Sequence, residues 1–248
     1  MTRDEALLYS LVHDGAPGDV AFYQRLAKGA GRVLELGCGW GRVASSLECA
    51  EAVGLEADPG MRELGASRGF VAVDGDMRRF DLGRFDLVIV PFTGIYCLLS
   101  EDDLLACLRS VREALAPDGR LVFDAYAADE FHRESAPEDY PDDILELVAE
   151  IEHEGEPLLV YERSTWNRDA QRVDAFYVYE RERDGLVIAE IEIGHRYLLS
   201  ETVAPLLTRA GLRLVSMAGS FDGEPFDGET SGSLVVTACR DDAPAPGG

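Results

Sequence analysis

Three glycines alternate with other residues from Gly37 to Gly41, directly after the apolar run at 33–36. Glycine has no Cβ atom, so such a turn lets a ligand come close to the backbone. The helical pattern predicted over 42–48 would add the unpaired N–H groups of a helix N-terminus, which bind polar or anionic ligand groups. The spacing therefore predicts a turn that holds a nucleotide or a nucleotide-like cofactor.

The residue after the turn bears on which nucleotide is bound. The dinucleotide fingerprint G-x-G-x-x-G would need its third glycine at position 42, which is Arg42. That glycine normally allows close packing of helix on strand. An NAD-dependent oxidoreductase is therefore the weaker alternative, and a non-catalytic cofactor-binding protein is a further one.

The apolar run 52–57 is followed by a turn and has the carboxylate of Glu56 near its end. Asp58 with Pro59 behind it predicts the N-cap and first residue of the next helix.

These candidates need a parallel sheet to position them. Buried strand patterns cover residues 33–37, 52–57, 85–92 and 119–126, and helical patterns cover 42–48, 60–68 and 101–116. Ser100 with Asp103 predicts the cap of the last helix, and the turn residues of "APDG" (116–119) close it. This alternation predicts a doubly wound α/β sheet.

The pattern changes after residue 126. Three strand-like runs, 158–166, 172–182 and 186–197, are separated by short polar breaks and predict an inserted antiparallel three-stranded meander. A helix at 200–211 and strands at 212–219 and 233–240 resume the first pattern. The predicted division is an N-terminal helical cover (1–29), an α/β domain (30–126 and 200–240), an insertion (127–199) and a disordered tail (241–248).

With Glu35 ahead of Gly37, Gly39 and Gly41, the chain resembles the class I S-adenosylmethionine-dependent methyltransferases, whose first motif is an acidic residue followed by G-x-G-x-G. Further segments resemble that family in order and spacing: "VGLEADPGM", "GDM" (75–77), "FDLVIVPFTGIY" and "LAPDGRLVFD". The resemblance spans about residues 30–126. It implies a mostly parallel seven-stranded sheet, with S-adenosylmethionine as cofactor and S-adenosylhomocysteine as product.

The resemblance also implies roles for individual residues. At the methionine end of the cofactor, Glu35 would act through its hydrogen-bond network, Gly37 and Gly39 would let the cofactor approach the backbone, and Pro91 would lie under the methionine part. Glu56 would hold the ribose hydroxyls, Asp76 would face the adenine amine, and Met77 would pack on the adenine ring. Tyr23 would belong to the cover over the cofactor.

Methyl transfer is an in-line displacement, so alignment and exclusion of water can supply most of the catalysis, and a base is needed only for a protonated acceptor. The catalytic candidates are Tyr9 in the N-terminal cover, Tyr96 near a strand end, and His195 where the last meander strand returns. Histidine titrates near neutral pH, which suits a base, although a strand-end histidine bonded to backbone is the structural alternative. His132 is a similar candidate.

The composition limits the partners. With 23 Lys and Arg against 47 Asp and Glu, the net charge of -24 would repel nucleic acid and anionic lipid. We therefore expect a small-molecule acceptor methylated on N or O; the acidic surface, including the run 138–143, would suit an amine. The cysteines are scattered and lack metal-ligand spacing, so we expect no bound metal and a cytoplasmic protein. No apolar stretch approaches the roughly 20 residues that span a bilayer, so we expect no membrane partner. We expect a monomer or a homodimer.

Overall fold

The computed structural model describes residues 1–136 and 144–243. The acidic run 138–143 and the end of the predicted tail, 244–248, lie outside the described residues. The helices are α1 (Arg3–Val12), α2 (Asp19–Ala27), α3 (Pro59–Ser67), α4 (Glu101–Ala114), α5 (Asp129–Glu134) and α6 (Ser200–Arg209). Within the described ranges, no helix is long and apolar enough to cross a membrane.

The main sheet has seven strands in the order β3-β2-β1-β4-β5-β11-β10. The strands are β1 (Arg32–Leu36), β2 (Glu51–Glu56), β3 (Val73–Asp74), β4 (Phe85–Val90), β5 (Leu115–Tyr126), β10 (Leu212–Ala218) and β11 (Ser233–Arg240). The first five run parallel to one another, and β11 lies antiparallel between β5 and β10. The carboxyl ends of β1, β2, β4 and β5 thus meet at one edge, where ligands bind in open α/β sheets.

Helices α3 and α4 begin where the predicted caps place them. The carboxylate of Asp58 accepts a hydrogen bond from the Met61 N–H, and the Ser100 hydroxyl accepts one from the Asp103 N–H. Each cap satisfies a backbone donor that the first turn leaves unpaired. Both predicted caps are confirmed.

The predicted helix over 42–48 is wrong, because this stretch forms only the short 3-10 helix Ala44–Ser46. The Ala44 N–H donates to the buried carboxylate of Glu35, and the Ser46 hydroxyl donates back to the Val43 carbonyl. Side-chain hydrogen bonds of this kind compete with a regular helix. Gly41 therefore opens a tight turn rather than a helix.

Residues 116–119 were predicted as a turn, but they lie inside β5, which starts at Leu115. Leu115 pairs with Phe85 of β4, and the register then shifts by several residues before Arg120 pairs with Leu87. The "APDG" sequence therefore forms an irregularity within an extended strand.

A second, antiparallel sheet has the order β6-β7-β8-β9. Its strands are β6 (Glu146–His153), β7 (Glu156–Asn167), β8 (Arg172–Arg181) and β9 (Leu186–Arg196). The predicted meander is confirmed, with β6 as one strand more than predicted. β6 is an edge strand with mostly exposed side chains, so its sequence lacks the apolar run that marks the other three.

Candidate active site

The glycine turn after β1 needs its glycines. Gly37, Gly39 and Gly41 have φ values of 63°, 55° and 82°, in the left-handed region. A Cβ atom on Gly41 would lie 2.2 Å from the Phe70 ring, and one on Gly37 would lie 3.3 Å from the Met77 methyl carbon. A side chain at Gly41 would therefore clash with Phe70, and one at Gly37 would crowd Met77, in addition to the strain of the positive φ values.

Glu35 is buried beneath this turn, with 4% of its surface exposed. Its Oε2 atom accepts a 2.6 Å hydrogen bond from the Ala44 N–H. Burial raises the pKa of Glu35 to about 8, against the opposing effects of that N–H and of the Arg42 charge. Glu35 thus holds the segment after the glycines in place.

Arg42, the residue that breaks the dinucleotide fingerprint, has a structural role. Its guanidinium pairs with both oxygens of Asp19 at 3.0 and 2.5 Å. It also lies 5.5 Å from the Phe92 ring, and a Cβ on Gly15 would come within 2.3 Å of it. Arg42 therefore links the first residue of α2 to the segment that follows the glycine turn.

A first pocket of about 300 Å³ opens over the ends of β1 and β2. It brings together four of the predicted cofactor residues, Gly37, Glu56, Asp76 and Met77. Its remaining lining residues are Leu55, Ala57, Gly75, Arg78, Cys97, Leu98, Leu99 and Asp103. The mixture of a glycine turn, a carboxylate and apolar side chains fits a nucleoside.

Glu56 links this pocket to the glycine turn. Its Oε2 atom accepts a 2.7 Å hydrogen bond from the Gly39 N–H, and its Oε1 atom accepts a 2.8 Å bond from the Asp58 N–H. Burial raises the pKa of Glu56, while these two N–H groups oppose the rise. The remaining lone pairs of the carboxylate can accept hydroxyl donors.

Asp76 lies at the pocket, but its carboxylate is held by Arg78. The guanidinium of Arg78 contacts Asp76 at 2.5 Å and Asp103 of α4 at 2.9 Å. The hydrogen bonds from Arg78 lower the pKa of Asp76. Sequence reasoning did not find Arg78, because its role depends on α4 lying across the segment that follows β3.

A second cavity of about 800 Å³, here called the large cavity, lies between the strand ends and the second sheet. One face of that sheet covers it with Glu162, Ser164, Trp166, Val173, Ala175, Tyr177, Ile193 and His195, which lie in cross-strand rows. Phe92, Thr93, Asp124, Ala125 and Tyr126 line it from the ends of β4 and β5. The cavity lining thus combines aromatic side chains with the carboxylates of Asp124, Glu146 and Glu162, and it also includes Arg163.

Two of the predicted catalytic residues line the large cavity. Tyr9 of α1 is half-buried there, and its pKa is raised by burial and then by nearby Cys97, Tyr179 and Glu56. Because Cys97 and Glu56 line the first pocket, Tyr9 lies where the two spaces approach each other.

His195 lies opposite, with its ring centroid 6.0 Å from that of Tyr126. Burial lowers the pKa of His195, whereas the charges of Glu162 and Asp174 raise it. The imidazole is therefore biased toward its neutral form, although carboxylates are near.

His13, which is not among the residues predicted from the sequence, also lines the large cavity. Its ring centroid lies 4.2 Å from that of Tyr9 and 4.7 Å from that of Tyr177. Burial lowers the pKa of His13 to about 4, and the charge of His195 lowers it further. Its Nε2 atom is buried and has no hydrogen-bond partner among the described residues. Sequence periodicity could not reveal that His13 lies at the cavity, because its neighbour Tyr177 comes from β8, which is distant in the sequence.

Two other predicted site residues are buried next to residues of the large cavity but line neither space. Tyr96 has no exposed surface, and its hydroxyl donates to the Tyr126 carbonyl at 3.0 Å, so its catalytic role stays a prediction that this bond disfavours. Tyr23 also has no exposed surface, and its hydroxyl donates to the Asp124 carboxylate at 2.6 Å. The hydroxyl thus orients Asp124 and is not free to contact a ligand.

Pro91 and His132 contact their neighbours in the fold. Pro91 is buried after β4, and its carbonyl accepts from the Gly94 N–H. His132 lies 2.8 Å from the Tyr197 hydroxyl, behind the wall that Trp166 forms.

Asp124 joins the large cavity to the loop after β4. Its Oδ1 atom accepts from Tyr23 and, at 3.0 Å, from the Phe92 N–H. Phe92 and Thr93 both have positive φ, 49° and 64°, which is uncommon for side chains larger than glycine. Such strain persists only where surrounding contacts impose it, and it clusters at functional sites.

Comparisons with known proteins agree with this geometry. Residues 33–119 match the family model described as a methyltransferase domain. The cypemycin N-terminal methyltransferase of a Streptomyces species is 28% identical over 244 residues, which cover 93% of this chain and 92% of that protein. The Bacillus subtilis (strain 168) protein YqeM is 26% identical over 155 residues; this match spans 56% of the chain and 62% of that protein's length.

Solved structures share the whole fold. The CcbJ methyltransferase from Streptomyces caelestis has a TM-score of 0.74 and 25% identity, covering 94% of this chain and 96% of its own. CalS10, an amino pentose methyltransferase from Micromonospora echinaspora solved with bound S-adenosylmethionine, has a TM-score of 0.63 and 24% identity, covering 96% and 91%. Residues 33–119 thus form a methyltransferase domain, and together with the glycine turn and the carboxylate of Glu56 these similarities support a class I S-adenosylmethionine-dependent methyltransferase.

Proposed function

We propose that this methyltransferase acts on a nitrogen atom of a small-molecule amine. The observation that carries the proposal is the large cavity, which approaches the first pocket at Tyr9 and contains two histidines and two glutamates among aromatic walls. Its volume of about 800 Å³ falls in the range of small-molecule sites. The cofactor supplies a methyl group on a positively charged sulfur.

The first pocket is the proposed place of the nucleoside. Glu56 would accept the ribose hydroxyls, Met77 would pack on the adenine ring, and Asp76 would face the adenine amine with its orientation fixed by Arg78. Gly37 and Gly39 would allow the methionine part to approach, on a turn that Glu35 holds.

The electrostatics of the large cavity favour an amine. An amine arrives largely as an ammonium ion, which the carboxylates of the cavity attract, and it must lose a proton before its lone pair can attack. His195 is biased toward the neutral form that can accept such a proton. The tyrosines of the cavity, by contrast, have raised pKa values, so they stay protonated near neutral pH and are not available as bases for a hydroxyl acceptor.

The relatives support the same choice. The cypemycin enzyme is named for methylating an N-terminus, and CalS10 is named as an amino pentose methyltransferase. We further propose that residues 127–199 form the part of the chain that covers the acceptor, with Tyr9 at the junction of cofactor and acceptor.

The test is turnover with matched acceptors. Purified protein with S-adenosylmethionine would be offered amino sugars, peptides with free N-termini, and the same compounds with a hydroxyl in place of the amine. We expect S-adenosylhomocysteine to form with members of the amine set, and mass spectrometry to place the methyl group on nitrogen. Turnover confined to the hydroxyl set would contradict the proposal.

A further inference from the structure

Asp124 is a buried carboxylate that the proposed reaction does not use. It has 4% of its surface exposed, and it lines the large cavity at the end of β5. In residues 1–136 and 144–243, no Arg, Lys or His nitrogen lies within 4.0 Å of its carboxylate. A buried charge without an ion-pair partner is costly unless hydrogen bonds replace its lost water. The donors around Asp124 therefore indicate what its charge does in the fold.

The donors to Asp124 come from α2 and from the loop after β4. Its Oδ1 atom accepts from the Tyr23 hydroxyl at 2.6 Å and from the Phe92 N–H at 3.0 Å. Its backbone carbonyl accepts from the next amide of that loop, the Thr93 N–H, at 3.0 Å. An O–H···O distance of 2.6 Å is typical of a bond to an ionised acceptor. One residue of β5 thus holds two consecutive amides of the loop.

These two amides belong to residues whose backbone is strained. Phe92 and Thr93 have φ values of 49° and 64°, and for a β-branched residue such as Thr93 a positive φ is an outlier that costs energy. The strain and the bonds that oppose it are similar in size. A hydrogen bond to an ionised carboxylate is roughly twice as strong as one to a neutral group. The charge on Asp124 therefore decides whether the loop keeps this conformation.

Asp124 can gain or lose its charge close to neutral pH. Burial raises the pKa of Asp124 to about 6, and the hydrogen bonds from Tyr23 and the Phe92 N–H oppose the rise. Tyr23 stays protonated over this range, because burial and the Asp124 charge raise its pKa. The tyrosine is thus a constant donor, and the carboxylate is the group that changes.

The other charged neighbours do not take over this titration. Asp19 of α2 raises the pKa of Asp124 and Arg42 lowers it, and these two side chains are paired with each other. Glu35 of β1 acts on Arg42, and it gains its own proton at higher pH, near 8. Between neutral and mildly acidic pH, Asp124 is therefore the member of this cluster that becomes protonated.

We propose that Asp124 is a positioning residue whose ionised carboxylate holds Phe92 and Thr93 in the left-handed conformation that lines the large cavity. Without the charge the loop relaxes, the wall of the cavity changes shape, and acceptor binding weakens in acid. The inference goes beyond the proposed function, because it holds for an amine acceptor and for a hydroxyl acceptor alike.

Hydrogen exchange of the Phe92 and Thr93 amides tests the inference without an acceptor. In the wild type, their protection relative to the intrinsic exchange rate should rise at least about tenfold between about pH 5 and pH 7.5, as Asp124 ionises. Asp124→Asn keeps the size of the side chain but carries no charge, so its protection should stay low at both pH values. Tyr23→Phe keeps the carboxylate but removes one donor, so its protection should rise at a higher pH than in the wild type.

Asp86→Asn is the matched control. The Asp86 carboxylate also accepts from two consecutive backbone amides, those of Gly31 and Arg32, but at the opposite end of β4. The substitution should speed exchange at those two amides and leave the loop after β4 as it is in the wild type.

Steady-state kinetics connects the loop to the reaction. The ratio of kcat/KM between wild type and Asp124→Asn, taken at equal pH, should be about tenfold or more near pH 8. It should fall to within about twofold near pH 5, because both proteins then lack the charge. A comparison at equal pH cancels the titration of the acceptor itself.

Three results would overturn the inference: protection of the two amides that does not change with pH in the wild type, equal protection in wild type and Asp124→Asn at neutral pH, or a kcat/KM ratio that stays constant across pH, as a purely structural role would give. Charge-dependent protection in a protein that methylates only hydroxyl groups would support the inference and contradict the proposed function.

Discussion

Tyr23 donates a 2.6 Å hydrogen bond to Asp124, although the two residues are 101 positions apart in the chain. This bond joins α2, on one side of the main sheet, to the end of β5 at the cavity. Because the same carboxylate oxygen accepts from the Phe92 N–H, a buried tyrosine in the N-terminal region sets the conformation of the loop that lines the candidate active site.

Replacing Tyr23 with phenylalanine should weaken this connection. Burial already raises the pKa of Asp124 to about 6, and the hydrogen bond from Tyr23 opposes the rise. Tyr23→Phe should therefore move the acidic limb of the pH profile of kcat/KM to higher pH and destabilise the fold by about 1–3 kcal/mol in urea unfolding. Tyr161→Phe, on the half-exposed face of β7, should change neither quantity. An unshifted pH profile of kcat/KM in Tyr23→Phe would show that the ionisation of Asp124 does not control activity.

Glu35 should make the protein less stable as the pH rises. Burial raises its pKa from an ordinary 4.5 to about 8, so between these values the folded state holds a proton that the unfolded state has released. The contribution is complete below about pH 4.5 and is lost as the pH passes 8, with a slope of at most about 1.4 kcal/mol per pH unit.

Urea unfolding of the cofactor-free protein from pH 5 to 8 measures this slope. Glu35→Gln should flatten it, and the exposed Glu130→Gln should leave it unchanged. Equal slopes in the wild type and in Glu35→Gln would contradict the assignment.

Glu56→Gln should weaken cofactor binding. The substitution removes the charged acceptor proposed for the ribose and weakens the bond that orders Gly39. Calorimetry with S-adenosylhomocysteine should show a Kd about 10 to 150 times higher, the range expected for hydrogen bonds to a charged group. Glu63→Gln, an exposed change on α3, serves as the control. Binding within twofold of wild type in Glu56→Gln would exclude the ribose role.

Tyr9→Phe and Tyr96→Phe form a matched pair, because each removes one hydroxyl. Tyr9 lines the large cavity, so its loss should lower kcat by about 10- to 100-fold. The Tyr96 hydroxyl is bonded to a backbone carbonyl, so its loss should destabilise the fold by about 1 kcal/mol and leave kcat within a few-fold. The reverse ranking in steady-state kinetics would return Tyr96 to the catalytic candidates.

His195→Gln should lower kcat/KM for an amine acceptor by about 100-fold at neutral pH, because it removes the proposed proton acceptor. The loss should shrink at high pH, where the amine is already deprotonated. His153→Gln, at the far end of β6 outside the cavity lining, is the control. A loss that stays constant across pH would indicate that His195 only positions the acceptor.

The sequence correctly predicted those features of the fold that depend only on residues close together in the chain. The caps at Asp58 and Ser100 each need only three neighbouring residues, and both form. The helix over 42–48 failed because Glu35, nine positions earlier, takes the Ala44 N–H. Strand β6 was missed because an edge strand needs no continuous apolar run.

The same distinction applies to the site. Gly37 and Glu56 belong to short motifs, and the structure brings them together at one pocket. Arg78 and His13 could not be predicted, because α4 and β8 give them their surroundings. The hydrogen bond from Tyr96 to a backbone carbonyl could not be predicted either, because a sequence cannot tell whether a hydroxyl at a strand end faces a cavity or a backbone carbonyl.

The left-handed pair Phe92 and Thr93 places stability and activity in opposition. A glycine at either position would relieve backbone strain of about 1–3 kcal/mol, offset in part by about 0.5–1 kcal/mol of added freedom in the unfolded chain. It would also free the loop that the Asp124 carboxylate now fixes against the cavity. A search for thermostable variants of this enzyme would therefore be drawn to these two positions, and the variants it selected there would be poorer catalysts.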